Sequence, residues 1–566
     1  MINVSIEWMN RIDRGEQPTP YIIMETGMGW RAFGGRNLSD MDMGDDNRAD
    51  GEYYADGEIY AGVNSLKLLS FDARVISFGN INRTLKPKSR DLFIGYNSKE
   101  KAEISITLDN KDHYFNDLLK IEPILNKRLQ LYLGYEQDPF TEHIPLFNGE
   151  ISDIQFDSQG KFTISALESL SDLSEYYYLN RAGRFDNPLN TNDKLPIVYG
   201  DCSDGPNWKA PCIDTVNYVY CFAGHAVLSV ANGNDIRVFV NGLEVDPIDY
   251  VFNESDSSYE NMATITFASA AAGLDEIDVV VGGKGKDTGG VLIENIIDII
   301  DDLLFNVVGW DGELEATKKA MSYHLFEGKS YVAAGVITDD FDVWEKLKEM
   351  TASFYGTVFL NSNNKLVIDL DLRKWNDVRF YESNAIMTTT KTEIYDAAQM
   401  LDGIVNHFPV SYAYDYYNKE FRSYTDDSAY HNLISQSTYG DRSPGRFQFY
   451  WIRELATVNS QQDVLVDRLN RPIWQLKVKD ISGVNLHLEL GDIIQYTAEN
   501  YYSAMGDEFI NQYFLIIGVD LDLDTYKINW TLVDTQSYRM FSVYADGDVY
   551  ANGEYFAGDN KDITIY

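Results

Sequence analysis

A chain of 566 residues exceeds what a single hydrophobic core normally supports and reads as about three or four domains, each able to fold without disulfides. Its 88 Asp and Glu against 47 Lys and Arg give a formal charge of −41, a surface that repels phosphate backbones and anionic lipid. That argues against nucleic-acid binding, because the longest basic run is only Lys86-Pro87-Lys88-Ser89-Arg90. Aromatic residues make up 13% of the chain, with 39 Tyr, and 41 Gly accompany them, a composition that suits β-rich domains and assembly interfaces. Residues 1–8 have neither the basic start nor the apolar core of an export signal, and the longest apolar run, residues 514–519, is too short to span a bilayer. Synthesis in the cytoplasm is the expectation.

In chain order, residues 2–9 alternate like a strand, and residues 27–64 are dense in acid and turn formers, an exposed arm. Clustered carboxylates raise calcium as a ligand for these acidic loops, but they miss the EF-hand ligand pattern. From 65 to 185, alternating runs at 66–77, 102–110, 129–135, 144–154 and 161–166, with a short helix at 118–124, read as a β-barrel or sandwich. Residues 186–288 form a second antiparallel β domain, in which Asn241-Gly242 marks a tight hairpin turn after Val240. Cys202, Cys212 and Cys221 all fall here and cannot all pair; without a paired short-spaced Cys motif, buried thiols or one disulfide are expected rather than zinc. The glycine-rich run 282–290 lacks the ending of a phosphate loop and reads as a flexible hinge.

Residues 289–390 carry the sustained helical pattern. Ile293, Ile296, Ile297, Ile300, Leu303, Leu304 and Val307 share one stripe opposite Asp298, Asp301 and Asp302, so the pattern predicts a surface helix with one buried face. A second helix is predicted after Thr338-Asp339-Asp340, stopped by Gly356 and followed by a hairpin over 357–369. Residues 391–540 add a Tyr-rich strand at 408–417, a helix at 459–469 ending before Pro472, and a closing series of strands that reads as a small barrel. Residues 541–566 form a Tyr- and Gly-rich tail hairpin whose Tyr544 to Ala551 run echoes Tyr54 to Ala61. The fold class is therefore mainly β with a central helical insert, a multidomain chain of small antiparallel barrels or sandwiches, α+β overall.

Catalytic signatures are missing: there is no nucleophile elbow, no zinc-helix motif and no complete phosphate loop. None of the seven histidines stands at metal-helix spacing to another. Two carboxylates would suffice for glycoside hydrolysis, and Glu150, Glu168 or Asp415 are available, but nothing singles out a pair. The expectation is no catalytic residue, no metal and no cofactor. Candidate interface residues are Tyr54, Tyr60, Tyr412, Tyr414, Tyr416, Tyr544 and Tyr550.

Four stretches bear a family likeness. Leu195-Pro196-Ile197-Val198-Tyr199-Gly200, followed by Val219-Tyr220, His225-Ala226-Val227 and Val238-Phe239-Val240-Asn241-Gly242, resembles a segment of the tail proteins of tailed bacteriophages. Gly290-Val291-Leu292-Ile293-Glu294-Asn295-Ile296-Ile297 leading to Phe341-Asp342-Val343-Trp344-Glu345-Lys346-Leu347 is similar to the same group. Ile144-Pro145-Leu146-Phe147-Asn148-Gly149-Glu150-Ile151 is similar to a strand pair near the start of baseplate hub and tail-tip proteins, and Leu488-Glu489-Leu490-Gly491-Asp492-Ile493-Ile494 to one near their end. The resemblance, spanning residues 100–535, implies a hub at the distal end of the tail, made in the host cytoplasm and carried in the virion. It would be a homotrimer or other ring around the tube exit, touching the tail tube or distal ring, the tape-measure protein, and fibres or a spike. Two other readings stand beside it: a carbohydrate-binding or polysaccharide-degrading receptor protein, prompted by Tyr412, Tyr414, Tyr416 and Tyr417 beside Asp415, and a soluble scaffold outside viruses.

Overall fold

The computed structural model describes residues 11, 14, 16, 18–26, 29–34, 71–72, 74–87, 96–99, 102–135, 143–168, 173, 176–268, 278–370, 387, 392–400, 403–443, 445, 447–480, 485–502 and 508–535. The expected arm over 27–64 begins instead as a strand, Gly29–Gly34, with Ala32 and Phe33 buried in the first sheet. The acidic remainder of that stretch and its calcium question, the expected first strand over 2–9 and the tail hairpin, and with them Tyr54, Tyr60, Tyr544 and Tyr550, lie outside these residues. The fold is mainly β with a helical centre, as expected.

The first sheet has eight strands. In spatial order they are Phe71–Asp72, Gly29–Gly34, Thr19–Thr26, Arg128–Gly134, Ile144–Phe156, Lys161–Glu168, Glu103–Asp109 and Val75–Ser77. Period-two patterning sets its inner face: Ile104, Ile106 and Leu108 are buried on one strand, and Phe162, Ile164 and Ala166 on its neighbour. The helix beside it runs Tyr114–Ile121, earlier than the expected 118–124. Asn110 accepts a bond from the Phe115 amide at 2.9 Å to start it, and Glu122, which precedes Pro123, is forced into extended backbone and ends it.

A seven-stranded sheet closes the chain. Its path runs Thr392–Met400, Ile473–Asp480, Lys527–Asp534, Glu508–Asp522, Asn80–Pro87, Tyr96–Lys99, with Ile493–Tyr502 also on Glu508–Asp522. Asn80–Pro87 comes from the start of the chain, yet it pairs antiparallel with Glu508–Asp522, Thr84 opposite Gly518 and Ile81 opposite Leu521. One core serves both sheets, joining Ile22, Ile106 and Phe162 to Leu476, Phe514 and Trp530. From the inserted strand Arg83 reaches Glu168 of the first sheet at 2.9 Å and the Leu146 carbonyl at 2.7 Å. Both charged groups are largely shielded from water, where a paired charge holds its position far better than a lone one.

Between them in chain order comes a two-sheet module. Val279–Lys284 is flanked by Asp201–Cys202, Trp208–Lys209 and Arg237–Val240, with Leu243–Glu244 at the edge. The other sheet is Cys212–Asp214, Val219–Ala223, Met262–Phe267 and Tyr250–Asp256. Trp208, Phe222, Val238, Ile265 and Val281 fill the space between. Asn241 and Gly242 have φ of 52° and 79°, the paired positive values that a primed hairpin turn needs. Over 282–285 the glycine run is packed strand and strand end rather than hinge. Gly282 and Gly283 sit within a strand, and a Cβ on Gly282 would lie 2.1 Å from the Gly205 carbonyl oxygen, one on Gly285 2.2 Å from that of Val198. Those glycines let backbones approach closely, which is the opposite of slack.

The helical centre departs furthest from expectation. Val291–Leu292 is a short strand and the first helix begins later, at Ile296, capped by the Asn295 side chain on the Ile297 amide at 3.0 Å. It spans Ile296–Asp301 and continues as a π-helix, Asp302–Val308. Its apolar face is buried as expected, with Ile296, Ile297, Ile299, Ile300, Leu303 and Leu304 all at 0% exposure, and burial extends beyond the stripe to Ile299 and Asp302, while Asp298 and Asp301 stay half-buried. A second helix, Ala316–Gly328, has only Ser322 and Phe326 buried, which is why periodicity did not reveal it. The third, Val343–Ala352, is capped by Asp342 on the Glu345 amide at 2.8 Å rather than by the Thr338-Asp339-Asp340 run; Asp340 instead accepts from the Leu179 amide at 3.0 Å. The hairpin Gly356–Leu360 and Leu366–Leu370 and the helix Leu455–Leu469 pack on this centre.

Candidate functional site

The tyrosine-rich run forms strand Val410–Asp415, antiparallel to Glu420–Thr425 and parallel to Phe447–Gln448. Ser411, Ala413 and Asp415 point inward and are buried, so Tyr412, Tyr414 and Tyr416 take the other face. That face is not an open binding stripe. Tyr412 packs on the helical centre and Tyr416, in the turn just past the strand, on the two-sheet module, so one hairpin touches two cores. Tyr414 stands in a ring cluster with Tyr416, Phe421 and Tyr450, centroids 5.1, 5.0 and 4.9 Å away, within the range where edge-to-face contacts are favourable. The Tyr416 hydroxyl donates to the Tyr450 carbonyl at 3.1 Å, and burial pushes its pKa well up. Gly335 makes room: a Cβ there would meet the Trp451 ring at 2.7 Å and Tyr416 Oη at 2.8 Å.

Beneath the tyrosines runs a seam of charge between the strand and the two-sheet module. Arg453, 4% exposed in its side chain, donates to Asp204 at 2.6 Å, Asn207 Oδ1 at 2.5 Å and the Tyr414 carbonyl at 2.9 Å. Burial acts to raise the Asp204 pKa, but the charge of Arg453, the Asn207 amide and Arg422 outweigh it and hold the carboxyl below its ordinary value. Asp415, 2% exposed, accepts from the amides of Tyr417 and Asn418 at 3.0 Å and from Arg422 at 2.7 Å. Tyr417 completes the seam, its amide donating to the Asn207 carbonyl and its hydroxyl to Asp278, both at 2.8 Å. With both oxygens of Asp415 occupied, neither is aimed at a ligand.

Glu168, Glu150 and Asp302 are likewise embedded in structure. Glu168 is held by Arg83, and Glu150 sits mid-strand opposite Arg128. Asp302, expected to face water, is 9% exposed and gathers Lys286 at 2.6 Å, Tyr199 at 2.6 Å and Asn306 at 2.9 Å. Burial acts upward on its pKa, and those three bonds together hold it below the ordinary value. Cys202, Cys212 and Cys221 are free and buried, and burial pushes the Cys202 thiol up to about 12. His225 spends both ring nitrogens on backbone, accepting from the Val198 amide at 3.0 Å and donating to the Ala226 carbonyl at 2.7 Å, so it offers Cys221 no ligand nitrogen. Sequence reasoning missed Arg453, Asp204 and Asp302, whose partners lie far along the chain. It also missed that His407 and His431 lie with ring centroids 4.6 Å apart; their shared window with Asp426 and Asp441 was the available signal.

The fold and seam define a multimodule, mainly β chain whose buried charges join modules. No protein-family model matches the chain, and no curated protein matches it. Among solved structures it is similar to the tail protein from Neisseria meningitidis MC58, at 9% identity and a TM-score of 0.34 over 82% of this chain and 97% of that one. It is similar to the 43 kDa tail protein of prophage MuSo2 from Shewanella oneidensis, at 9% identity and a TM-score of 0.34 over 81% of this chain and 95% of that one. The prophage tail protein gp18 from Listeria monocytogenes EGD-e is similar at 9% identity and a TM-score of 0.34, over 81% of this chain and 88% of that one. Among the described residues no helix is long and apolar enough to cross a membrane.

Proposed function

We propose that this chain is a structural component of a bacteriophage tail tip or baseplate hub, assembled as a trimer or other ring. In that role it connects the end of the tail tube to fibres or a spike and lines the channel through which DNA leaves. The observation that carries this reading is the inserted strand: Asn80–Pro87 is a member of the closing sheet, and Arg83 on it is locked to the first sheet. A collar that bears load needs modules that cannot swing apart, and a shared core with crossed strands supplies that where linkers would not. A charge of −41 suits a wall past which DNA slides by repulsion. The motif likeness in residues 144–151, 195–242, 290–347 and 488–494 points the same way. In this reading the chain performs no reaction; the glycan reading loses its motif, since Asp415 is committed to Arg422 and backbone amides.

A label on residues 541–566, imaged on intact virions, is expected at the distal tail end. Label on the capsid alone, or none on particles, overturns the proposal. A glycan array and a reducing-sugar assay are both expected to be blank; bound glycan or released sugar would favour the receptor reading instead.

A further inference from the structure

Just past strand Glu420–Thr425 the chain brings together two imidazoles and a carboxylate that no part of the structural role requires. Asp426 Oδ1 lies 3.0 Å from His431 Nε2 and 3.2 Å from His407 Nε2. One donor atom from each of the three residues lies within 4.8 Å of the others. The far nitrogen of His407, Nδ1, is 2.8 Å from Asp441 Oδ1. A carboxylate on one imidazole nitrogen while the other faces shared donors is how metal-bound histidines are oriented. Separations of 3.0 to 3.2 Å are close to the edge of a tetrahedron around an ion with ligands at about 2.0–2.1 Å, roughly 3.3 Å.

The site is held by the surrounding backbone. Asn406, fully buried, donates its amide to the Arg442 carbonyl at 3.0 Å and accepts from the Arg442 amide at 2.9 Å through its side chain; its carbonyl accepts from the Asn432 amide at 2.8 Å. That clamp sets His407 between His431 and Asp441. Asp427 caps the short turn Ser428–Tyr430, accepting from the Ala429 amide at 2.9 Å, and His431 closes the turn. The Tyr424 hydroxyl lies 3.4 Å from Asp426 Oδ2, leaving Oδ1 toward the imidazoles. The side chains of His407, His431 and Asp426 are 17%, 19% and 33% exposed, sheltered but reachable by an ion and water.

We propose that His407, His431 and Asp426 bind one divalent transition-metal ion, with Asp441 orienting His407 and water completing the coordination. Two imidazoles and one carboxylate suit Zn2+, with Co2+ able to replace it. The ion pins three segments, the loop at 407, the strand end at 426 and the turn at 431, beside the tyrosine strand.

The test is titration of the full metal-stripped chain with Co2+, followed by visible absorption, and then with Zn2+ in competition; bound metal is counted by elemental analysis after dialysis. One Co2+ per chain, displaced by one Zn2+, is expected, with affinity lost about 100-fold or more in His431→Gln and about 10–100-fold lower, at unchanged stoichiometry, in Asp441→Asn. Zn2+ raises the melting temperature of the native chain and not that of His431→Gln. Circular dichroism is recorded throughout, and Asp426→Asn replaces any variant that has lost its fold. His324→Gln, at an exposed histidine on another helix, is expected to bind as the native chain does. Metal binding no tighter than in His431→Gln, or equally weakened by His324→Gln, shows that hydrogen bonds alone hold the cluster and overturns the proposal.

Discussion

His225 illustrates how a single side chain ties stability to pH. Burial of the imidazole lowers its pKa from 6.5 to about 4, because a charged ring there would lose water and the Ala226 carbonyl and Asp302 make up only part of that loss. The unfolded chain therefore binds a proton between those values that the folded chain does not. Its contribution is whole above pH 6.5, falls as pH drops from 6.5 toward about 4, and is constant below. The loss amounts to at most ~3 kcal/mol, less to the extent that water reaches the ring. Urea denaturation at pH 7, 5.5 and 4.5 is expected to show this slope in the native chain and a flatter one in His225→Gln; equal slopes would contradict it. Asp204 and Asp302 act in a separate window, since their lowered pKa values make stability fall only as pH drops below about their ordinary value of 3.8.

Among the elements, the central helix is the most exacting. Its six apolar side chains from Ile296 to Leu304 are wholly buried, and the π segment Asp302–Val308 widens the turn where Asp302 meets Lys286 and Tyr199. Two substitutions separate local from tertiary stabilisation. Asn295→Ala removes the cap on the Ile297 amide and should cost about 1 kcal/mol. Ile300→Ala leaves a void among rigid neighbours and should cost about 2–5 kcal/mol. Urea midpoints at constant slope measure both, and a cap variant that costs as much as the core variant would mean that the helix end, not its burial, limits stability.

For the whole molecule, Arg453 joins the tyrosine strand to the two-sheet module. Arg453→Met keeps much of its apolar stem but strips Asp204 and Asn207 of their shared donor. Because Asp204 is 39% exposed, the loss should fall near about 3 kcal/mol, the lower end for a broken buried pair. The more telling readout is cooperativity: calorimetry should show the two-sheet module melting ahead of the rest, with early proteolytic cleavage at its borders. One unchanged transition would show that the shared apolar surfaces alone hold the module in place.

Local patterning in the chain was enough to determine strands Glu103–Asp109, Arg128–Gly134, Ile144–Phe156 and Lys161–Glu168, the primed turn at Asn241-Gly242, the hairpin after Gly356 and the mainly β class, but not Thr19–Thr26 or Gly29–Gly34. These follow from period-two burial and from residues whose backbone preferences act over a few positions. Only tertiary structure decided that Asn80–Pro87 joins a sheet at the other end of the chain, that the glycines at 282–285 serve close packing, that Asp302 is buried, and that Tyr412, Tyr414 and Tyr416 line a seam. Asp302, Arg453 and the His407, His431 and Asp426 cluster could not be read for the same reason. The partner that neutralises or orients each charge is brought near by folding, and nothing in the neighbouring sequence encodes which distant residue that will be.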